Sequence, residues 1–497
     1  MSDKIRMSGM ISGMDTEGLI TALTSTRKTN IDKVKGEQKK LSWKQDAWKD
    51  MNSKIYGLYS GKLSSMRFTT AYNKKVTKSS SSALTVVPGA NAVEGTMTAK
   101  VNAVAKAGYL TGAEITATDG SKLTQDSKVT ELGIEAGTKF TIECNGTTKE
   151  IEVTEDMTMY GLTSAMKEAG VNANFDIANK RLFISAKSTG EANDFTISAS
   201  DEAGNDAIAK LGLSEEAGAT RIKGSDAELE LNGAIFKSST NSFTINGSTF
   251  VANAVSTEEI TLKTENDTSG IYDMIKGLFK DYNDTINAMA KAYNADNASK
   301  YTMLTDEMKD VMSDKEVEEW EGKIKDSLLR KDSSLYNVMN AMRTAMSQSI
   351  EIDGKTYTLA DFGINASDYL TTDANERYAY HIDGDSSDAV SSGKTDKLQA
   401  MIASDPELVT KFFTKLSQNV YDGLNDKMSS TDYSSAYKVY DDKKMQKEYD
   451  SYNKKIADLE AKLSEIEDRY YKRFAAMEKS LAALQDSNSA ISSLFNM

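Results

Sequence analysis

The chain of 497 residues contains very little of three residue types, with one cysteine, one histidine and two prolines. One cysteine cannot close an internal disulfide, and together with one histidine it cannot supply a Cys/His dyad, a paired-histidine acid-base site or an ordinary zinc site. So few prolines allow long helices and remove most slow Xaa-Pro isomerisation from refolding. The composition therefore excludes most catalytic and metal-binding classes and leaves only enzymes based on carboxylates or hydroxyls.

Long apolar runs and a basic charge balance are also absent. No segment approaches the roughly 18 apolar residues of a membrane span, and the N-terminus lacks the apolar stretch of a cleaved signal peptide, so we expect neither membrane insertion nor Sec export. The net charge of −14 argues against a protein that binds nucleic acid through phosphates. Residues 1–78 carry 16 basic and 7 acidic side chains, a local charge of +9 that leaves −23 on the remainder. This basic segment is predicted to pair with acidic surroundings.

Both ends of the chain have a helical repeat. Between residues 16 and 67 the apolar side chains recur at helical spacing, with Asp15 as the expected N-cap. The C-terminal end repeats every seven residues, and near Arg473 and Ser480 its apolar stripe passes to neighbouring positions, which indicates packing against more than one partner. The positions predicted to form a coiled coil and assembly interface are Leu19, Leu23, Val34, Leu41, Trp48, Ile55, Ile456, Leu459, Leu463, Ile466, Tyr470, Phe474, Met477, Leu481 and Leu484.

The middle of the chain has a different period. From residue 78 to about residue 268 apolar residues alternate with Thr and Ser, and Asn145-Gly146, Asn232-Gly233 and Asn246-Gly247 fit two-residue hairpin turns. This stretch of about 190 residues is long enough for two small β-rich domains. The serines of 79–82 predict a flexible junction at its entrance.

Helical spacing returns after residue 268. Further amphipathic stretches are predicted at 303–312 and 328–346, and another opens at Asp405 with Pro406 in the first helical position. Between them, residues 350–381 contain Asp353-Gly354 and indicate a hairpin. The plan is helices, a β-rich insertion, then helices.

Candidate chemical sites have ordinary structural explanations. Asp383, Asp385 and Asp388 lack the Gly and Glu that a calcium loop of the EF-hand type requires, and we interpret them as a solvated turn. Cys144 shares strand parity with apolar neighbours, so we expect a buried side chain rather than a nucleophile. No nucleophile elbow or oxyanion motif stands out, so the protein is predicted to be no enzyme and to need no metal or cofactor.

With these features the sequence resembles the family of bacterial flagellar filament cap proteins, the hook-associated protein 2 family. The similar strings are residues 8–15 (SGMISGMD), residues 138–197 (like a flagellin-type repeat) and residues 474–478 (FAAME). Residues 224–294 are similar through Gly-Xaa-Asp-Ala, Asn232-Gly233, Thr240-Asn241, Asp267-Thr268 and Tyr282-Asn283. They follow in order across about three quarters of the chain.

The resemblance implies an α+β multidomain fold, with a terminal α-helical coiled coil and a helical stem formed by both chain ends and two β-rich head domains inserted between them. The implied domains are the coiled coil (1–42 and 440–497), the stem (43–78 and 268–439), the inner head (79–112 and 227–267) and the outer head with the flagellin-type repeat (113–226).

The resemblance also implies a location at the distal tip of the flagellum, outside the cell, after flagellar type III export without a cleaved signal peptide. Implied partners are further copies of the chain in a ring of four to six subunits, flagellin, the hook-filament junction proteins transiently, and a cytoplasmic export chaperone. There the ring would promote folding and insertion of exported flagellin. Alternatives are an adhesin that binds host mucin through the heads, or another axial protein such as flagellin or a hook-junction protein.

Overall fold

The computed structural model describes residues 13–89, 91–368 and 370–495, so most of the 8–15 string lies outside the described residues. The helices are α1 (Thr16–Leu58), α2 (Ser64–Met66), α3 (Met159–Glu168), α4 (Glu202–Lys210), α5 (Thr268–Tyr293), α6 (Asp306–Asp310), α7 (Asp314–Asp326), α8 (Ser333–Ser347), α9 (Lys397–Ser404), α10 (Pro406–Lys427) and α11 (Asp442–Phe495). The strands are β1 (Lys75–Ser79), β2 (Leu84–Val87), β3 (Gly95–Ala103), β4 (Ala107–Thr111), β5 (Lys139–Cys144), β6 (Thr147–Glu152), β7 (Val171–Asp176), β8 (Arg181–Thr189), β9 (Phe195–Ser198), β10 (Thr220–Ile222), β11 (Ala227–Leu231), β12 (Ala234–Ser238), β13 (Ser242–Ile245), β14 (Ser248–Ala252), β15 (Ile260–Asn266), β16 (Ile350–Ile352), β17 (Lys355–Tyr357), β18 (Ile364–Ala366) and β19 (Tyr380–Ile382).

The chain divides into a helical unit, which ends at Tyr72 and resumes at Thr268, and a β unit, Asn73–Asp267. Both chain ends are helical and the inserted middle is rich in strands, so the predicted mixed α+β class is confirmed. The finer division of each unit into two domains stays a prediction. The predicted boundary between residues 42 and 43 falls inside α1, and the helix continues without a break across that boundary.

Helix α1 begins where the sequence predicts. The Asp15 carboxylate accepts a hydrogen bond of 2.8 Å from the Gly18 amide, which satisfies one of the orphan donors of the first turn. The helix then continues for 43 residues because no proline interrupts it. It ends in a π turn, Tyr59–Leu63, where the backbone of Gly61 leaves the helical region.

The core of the helical unit lies where α5, α8 and α10 pack on the end of α1. Helix α10 opens as predicted, with Asp405 as N-cap and Pro406 in the first turn. Its Phe412 and Phe413 are fully buried and meet Phe362 with ring centroids 4.3 and 5.4 Å apart. Aromatic contacts of this kind stabilise a core beyond their buried area.

Two predictions for this unit are wrong in extent. The stretch 303–312 forms only the five-residue helix α6, and the stretch 328–346 becomes helical only at Ser333. Helix α7 lies between them and was not predicted. Its sequence is mostly charged, but the Ser313 hydroxyl and the Glu316 carboxylate form a capping box that starts it.

The β unit contains two separate hydrophobic cores. The inner core lies between a five-stranded sheet, in the order β1-β15-β3-β11-β12, and a three-stranded sheet, β13-β14-β2. The outer core lies among a four-stranded sheet, β10-β4-β8-β7, a three-stranded sheet, β6-β5-β9, and helices α3 and α4.

The strands correct two expectations about the β unit. Residues 75–78, assigned to the stem, form β1 and pair with β15, so the β unit begins at Asn73. Strand β4 pairs with β8, so the outer part begins at Ala107 rather than at residue 113. The serines of 79–82 lead from β1 toward β2, and the Ser79 hydroxyl donates to the Ser81 carbonyl at 2.7 Å; the flexibility of this junction stays a prediction.

The hairpin predictions are confirmed. Asn145-Gly146, Asn232-Gly233, Asn246-Gly247 and Asp353-Gly354 all have positive φ at both positions and join β5–β6, β11–β12, β13–β14 and β16–β17. Such backbone angles match the twist of the strands and favour Asn, Asp and Gly. The turns therefore fix the register of four strand pairs locally.

Candidate assembly surface on the terminal helix pair

Helices α1 and α11 pack against each other along their length and are called here the terminal helix pair. Lys28 approaches Glu467 at 4.0 Å, Lys35 approaches Glu460 at 2.7 Å, and the Gln38 amide donates to the Asn453 side chain at 2.5 Å. Residue numbers fall along α11 as they rise along α1, so the helices are antiparallel. Each chain therefore forms a two-helix coiled coil from its own two ends.

The face of α1 toward the rest of the unit is well buried. Buried positions recur at steps of three, four, seven or fourteen residues, which follow the seven-residue repeat of a coiled-coil seam: Ile20, Thr24, Ile31, Val34, Trp48, Asn52 and Ile55. The Thr24 hydroxyl donates to the Ile20 carbonyl one turn earlier at 2.8 Å, so its burial leaves no unsatisfied group.

The base of the pair is held by Trp48 and Asn52. Trp48 is 1% exposed and stacks on Tyr440, with ring centroids 5.2 Å apart. The Asn52 side chain donates to the Tyr437 carbonyl at 3.2 Å and accepts from the Val439 amide at 3.0 Å. The sequence analysis did not identify Asn52. Its position at the apolar spacing between Trp48 and Ile55 could have indicated a buried polar side chain that needs hydrogen-bond partners.

The apolar stripe of α11 is much less covered than that of α1. Eight predicted positions are all partly exposed: Ile456, Leu459, Leu463, Ile466, Tyr470, Phe474, Met477 and Leu481. Leu484 is 66% exposed. Helix α1 therefore covers only part of a stripe that continues along most of a 54-residue helix.

The predicted set divides into three groups in α1. Val34, Trp48 and Ile55 lie in the buried seam, and Leu41 is half-buried. Leu19 and Leu23 lie outside the seam and are 42% and 53% exposed. Twelve of the fifteen predicted positions are thus buried or half-buried, while Leu19, Leu23 and Leu484 remain on the surface. Whether these residues form an interface between chains stays a prediction.

The positive charge of α1 is matched by acidic side chains, as predicted. In addition to Lys28 and Lys35, Lys39 approaches Glu321 at 3.4 Å and Lys44 approaches Asp332 at 2.9 Å. The hydrogen bond to Glu460 raises the pKa of Lys35 above its usual value. Because most of these lysines are half exposed, each pair stabilises the fold only weakly.

Helix α7 supports α1 through one buried carboxylate. Glu321 is 9% exposed and also binds Lys309 at 2.6 Å. Burial acts to raise the pKa of Glu321, but Lys309 and Lys39 outweigh it and the pKa lies below the usual range. Trp43 of α1 lies between Lys39 and Lys325, whose ammonium groups are 5.1 and 4.6 Å from its ring centroid.

The acidic turn at Asp383–Asp388 corrects an expectation. Asp383 and Asp385 are 8% exposed, not solvated, because Lys394 and Lys276 bind them at 3.1 and 2.6 Å. His381 Nδ1 lies 2.6 Å from Asp388, and this pair closes the other side of the turn. Among the described residues, no group of three or more His, Cys, Asp or Glu side chains has the arrangement of a metal site.

Cys144 is buried in the outer core of the β unit, as predicted. Burial raises the pKa of its thiol, which makes it a poor nucleophile. No helix within the described ranges has the length and apolar character of a membrane span.

The family models match in two blocks, of which the first covers α1 and the second covers most of α11. Residues 12–108 match the N-terminus of flagellar hook-associated protein 2, and residues 224–486 match its C-terminus. The second block alone exceeds half of the chain. The chain belongs to the flagellar hook-associated protein 2 family. This is a family of structural proteins that cap the flagellar filament, so the resemblance stated from the sequence is confirmed.

Individual relatives match over most of the chain. It is 25% identical to flagellar hook-associated protein 2 of Halalkalibacterium halodurans over 82% of this chain and 78% of that protein. It is 23% identical to the A-type flagellar hook-associated protein 2 of Pseudomonas aeruginosa over 87% and 89% of the two chains. Among solved structures, it is similar to the D1-D2-D3 domains of the Escherichia coli flagellar cap protein FliD, with 21% identity, a TM-score of 0.43 and coverage of 77% of this chain and 97% of that one.

Proposed function

We propose that this member of the hook-associated protein 2 family caps the growing filament as a ring of identical subunits. In this proposal the ring sits at the distal tip, promotes folding and insertion of exported flagellin, and is required for filament elongation and motility. Further partners are the hook-filament junction proteins and an export chaperone, and export uses the flagellar type III system. The observation that carries the proposal is the incompletely covered apolar stripe of α11.

The exposed part of that stripe can contribute to assembly. Completing the burial of a partly exposed apolar side chain stabilises by up to roughly 1 kcal/mol. Eight such positions lie on α11, so a second neighbour could gain several kcal/mol per subunit before the entropy cost of association. In a ring each subunit makes the same contact, and head-to-tail contacts that close on themselves give a discrete oligomer.

The test introduces a charge into the stripe. Ile466→Asp places an unpaired carboxylate between Leu463 and Tyr470, which costs several kcal/mol on burial. The matched control is Ser464→Asp, which places the same charge at an exposed position of the same helix. We expect a strain that carries only Ile466→Asp to secrete unpolymerised flagellin and not to swim, whereas Ser464→Asp supports normal filaments.

A second variant separates assembly from folding. Leu484→Glu changes a side chain that is 66% exposed, so the isolated chain should fold as before. We expect it to shift the oligomer toward monomer in mass measurements, whereas the neighbouring Gln485→Glu should not. Normal filaments with Ile466→Asp, or an unchanged oligomer with Leu484→Glu, would show that the stripe is not the assembly surface.

A further inference from the structure

A small pocket in the helical unit has the composition of an anion site. It has a volume of about 280 Å³ and lies between α5, α8 and the segment that joins β18 to β19. Its wall includes Tyr282, Arg343, Ser367, Arg377, Tyr378 and Tyr380. None of the described residues that line it is acidic, although the chain has 74 acidic residues. We call it the arginine–tyrosine pocket.

Tyr282 contributes a buried donor to this pocket. Its side chain is 1% exposed, and its hydroxyl has no hydrogen-bond partner within the described chain. Burial raises the pKa of Tyr282, an effect that nearby Arg343 only partly opposes, so the phenol is protonated at neutral pH. A buried O–H group without an acceptor is unfavourable, and an incoming acceptor would satisfy it.

Arg343 contributes a guanidinium group whose N–H donors are available to bind a ligand. The guanidinium carbon lies 3.8 Å from the centroid of the Tyr378 ring, so the side chain uses its flat face for stacking. That contact uses none of the five N–H donors, and in the part of the chain that the structure describes they have no hydrogen-bond or ion-pair partner. Arg377 lies beside it and is oriented by a hydrogen bond of 3.1 Å from its Nε to the Thr372 carbonyl.

The wall of the pocket is held in place by its surroundings. The Asn283 side chain donates to the Tyr380 carbonyl at 2.7 Å and accepts from the Tyr380 amide at 2.8 Å. The Ser367 hydroxyl lies 2.8 Å from His381 Nε2. These bonds fix β19 and the end of β18, so the site needs little rearrangement to bind a ligand.

We infer that the arginine–tyrosine pocket binds a carboxylate. A carboxylate is planar and matches the fork of a guanidinium group with two parallel hydrogen bonds, while its oxygens can also accept from a phenol. A pocket of this volume lies at the lower end of ligand sites, so it fits one carboxylate group on a short chain rather than a large ligand. The carboxylate belongs either to a free small acid or to an Asp or Glu side chain of a second copy of the chain. The inference does not depend on the proposed cap function.

The experiment is a calorimetric titration of the full chain with glutarate, with the neutral diamide glutaramide at matched ionic strength as the control ligand. We expect saturable binding of glutarate only. Arg343→Gln should weaken binding by roughly tenfold to a hundredfold, since it removes charge-assisted hydrogen bonds. Tyr282→Phe should weaken it by roughly threefold to tenfold without lowering thermal stability, because the hydroxyl has no internal partner to lose.

The matched control variant is Arg67→Gln. Arg67 also stacks on a tyrosine of the helical unit, 4.1 Å from the ring centroid of Tyr421, but outside the pocket. It should leave glutarate binding unchanged.

To identify the source of the carboxylate, the mass of the wild-type and Arg343→Gln chains is measured with and without glutarate. Dissociation of the wild-type oligomer by glutarate, mimicked by Arg343→Gln, assigns the carboxylate to a second copy; binding without a change in mass assigns it to a free acid. The inference is overturned by the absence of saturable binding together with an unchanged oligomer in Arg343→Gln, or by an equal loss of binding in Arg67→Gln.

Discussion

The β unit and the terminal helix pair bury their apolar residues to very different degrees. In the β unit, Val101 and Leu229 of the inner core and Ile142 and Leu182 of the outer core are completely buried within one chain. In the terminal helix pair, the stripe of α11 remains partly exposed over eight positions. A region that buries its core within one chain is stable without a neighbour, whereas a region that leaves an apolar stripe uncovered can gain stability from a neighbour.

The tryptophans allow the two regions to be followed separately. All three, Trp43, Trp48 and Trp320, lie in the helical unit, and the β unit has none. Tryptophan fluorescence therefore reports unfolding of the helical unit alone, while the β unit contributes to circular dichroism. This separation matters because a chain with two units need not unfold in a single step.

The largest effect on stability is expected at the base of the terminal helix pair. Trp48→Ala removes a fully buried ring and its stack on Tyr440, which should cost about 3–5 kcal/mol in the helical unit. Trp43→Ala on the same helix is the control, because its ring is only partly buried and should cost much less. The measurement is denaturant unfolding followed by the remaining tryptophans. Equal losses for the two variants would contradict the role of Trp48 as the anchor of the pair.

A smaller, pH-dependent effect is expected at the acidic turn. Burial acts to raise the pKa of Asp385. Hydrogen bonds from Lys276 and from Ser387 lower the pKa by more than burial raises it, so the pKa lies below its usual value. The resulting stabilisation is fully present above the unfolded pKa of about 3.9 and is lost as the pH falls through the folded pKa. Asp385→Ala should therefore cost about 3 kcal/mol at neutral pH and progressively less below about pH 4.

The control for this experiment is Asp273→Ala, which removes an exposed carboxylate of α5. Its effect should be small at every pH. A difference between Asp385→Ala and the wild type that stays constant down to pH 2 would mean that the Lys276–Asp385 pair does not produce the stabilisation.

The smallest effect on the helical unit should come from removing the outer core of the β unit. Lys106 and Ser225 exchange two backbone hydrogen bonds, of 2.9 and 3.0 Å, at the base of this insertion. Replacing residues 107–224 by Asn-Gly should close this pair with a two-residue turn. We expect the fluorescence-detected unfolding free energy to change by less than about 0.5 kcal/mol, and the oligomer to persist. Loss of the fluorescence transition would show that the helical unit needs the outer core.

Local rules explain which parts of the fold the sequence predicts. The Asp15 cap, the Asn-Gly turns and the seven-residue repeat each depend on a few neighbouring residues, and the structure confirms them. The burial of Asp385 could not be predicted in this way, because its partner Lys276 is more than a hundred residues distant in the chain. Helix α7 was missed for a similar reason: its charged residues look solvated until Glu321 meets Lys39 of α1.

The candidate surface was predictable in part. The repeat located the stripes of α1 and α11, but it could not say which side of each helix the other would cover. Leu19 and Leu23 share an apolar spacing with Ile20, yet only Ile20 lies in the buried seam. That choice depends on the orientation of the pair, to which the contacts of Trp48 and Asn52 with the loop before α11 contribute.

The antiparallel pairing of the two chain ends also determines when the pair can form. Gln38 and Asn453, which are hydrogen-bonded, are separated by 415 residues in the chain. A ribosome makes α1 before α11, so α1 must wait without its partner until the residues between the two helices and α11 itself have been synthesised. The same delay applies whenever the chain is threaded through a channel from one end. Closure of the pair therefore marks a chain in which α11 has been made or has passed the channel, and a truncated chain that lacks α11 would carry α1 with its seam uncovered.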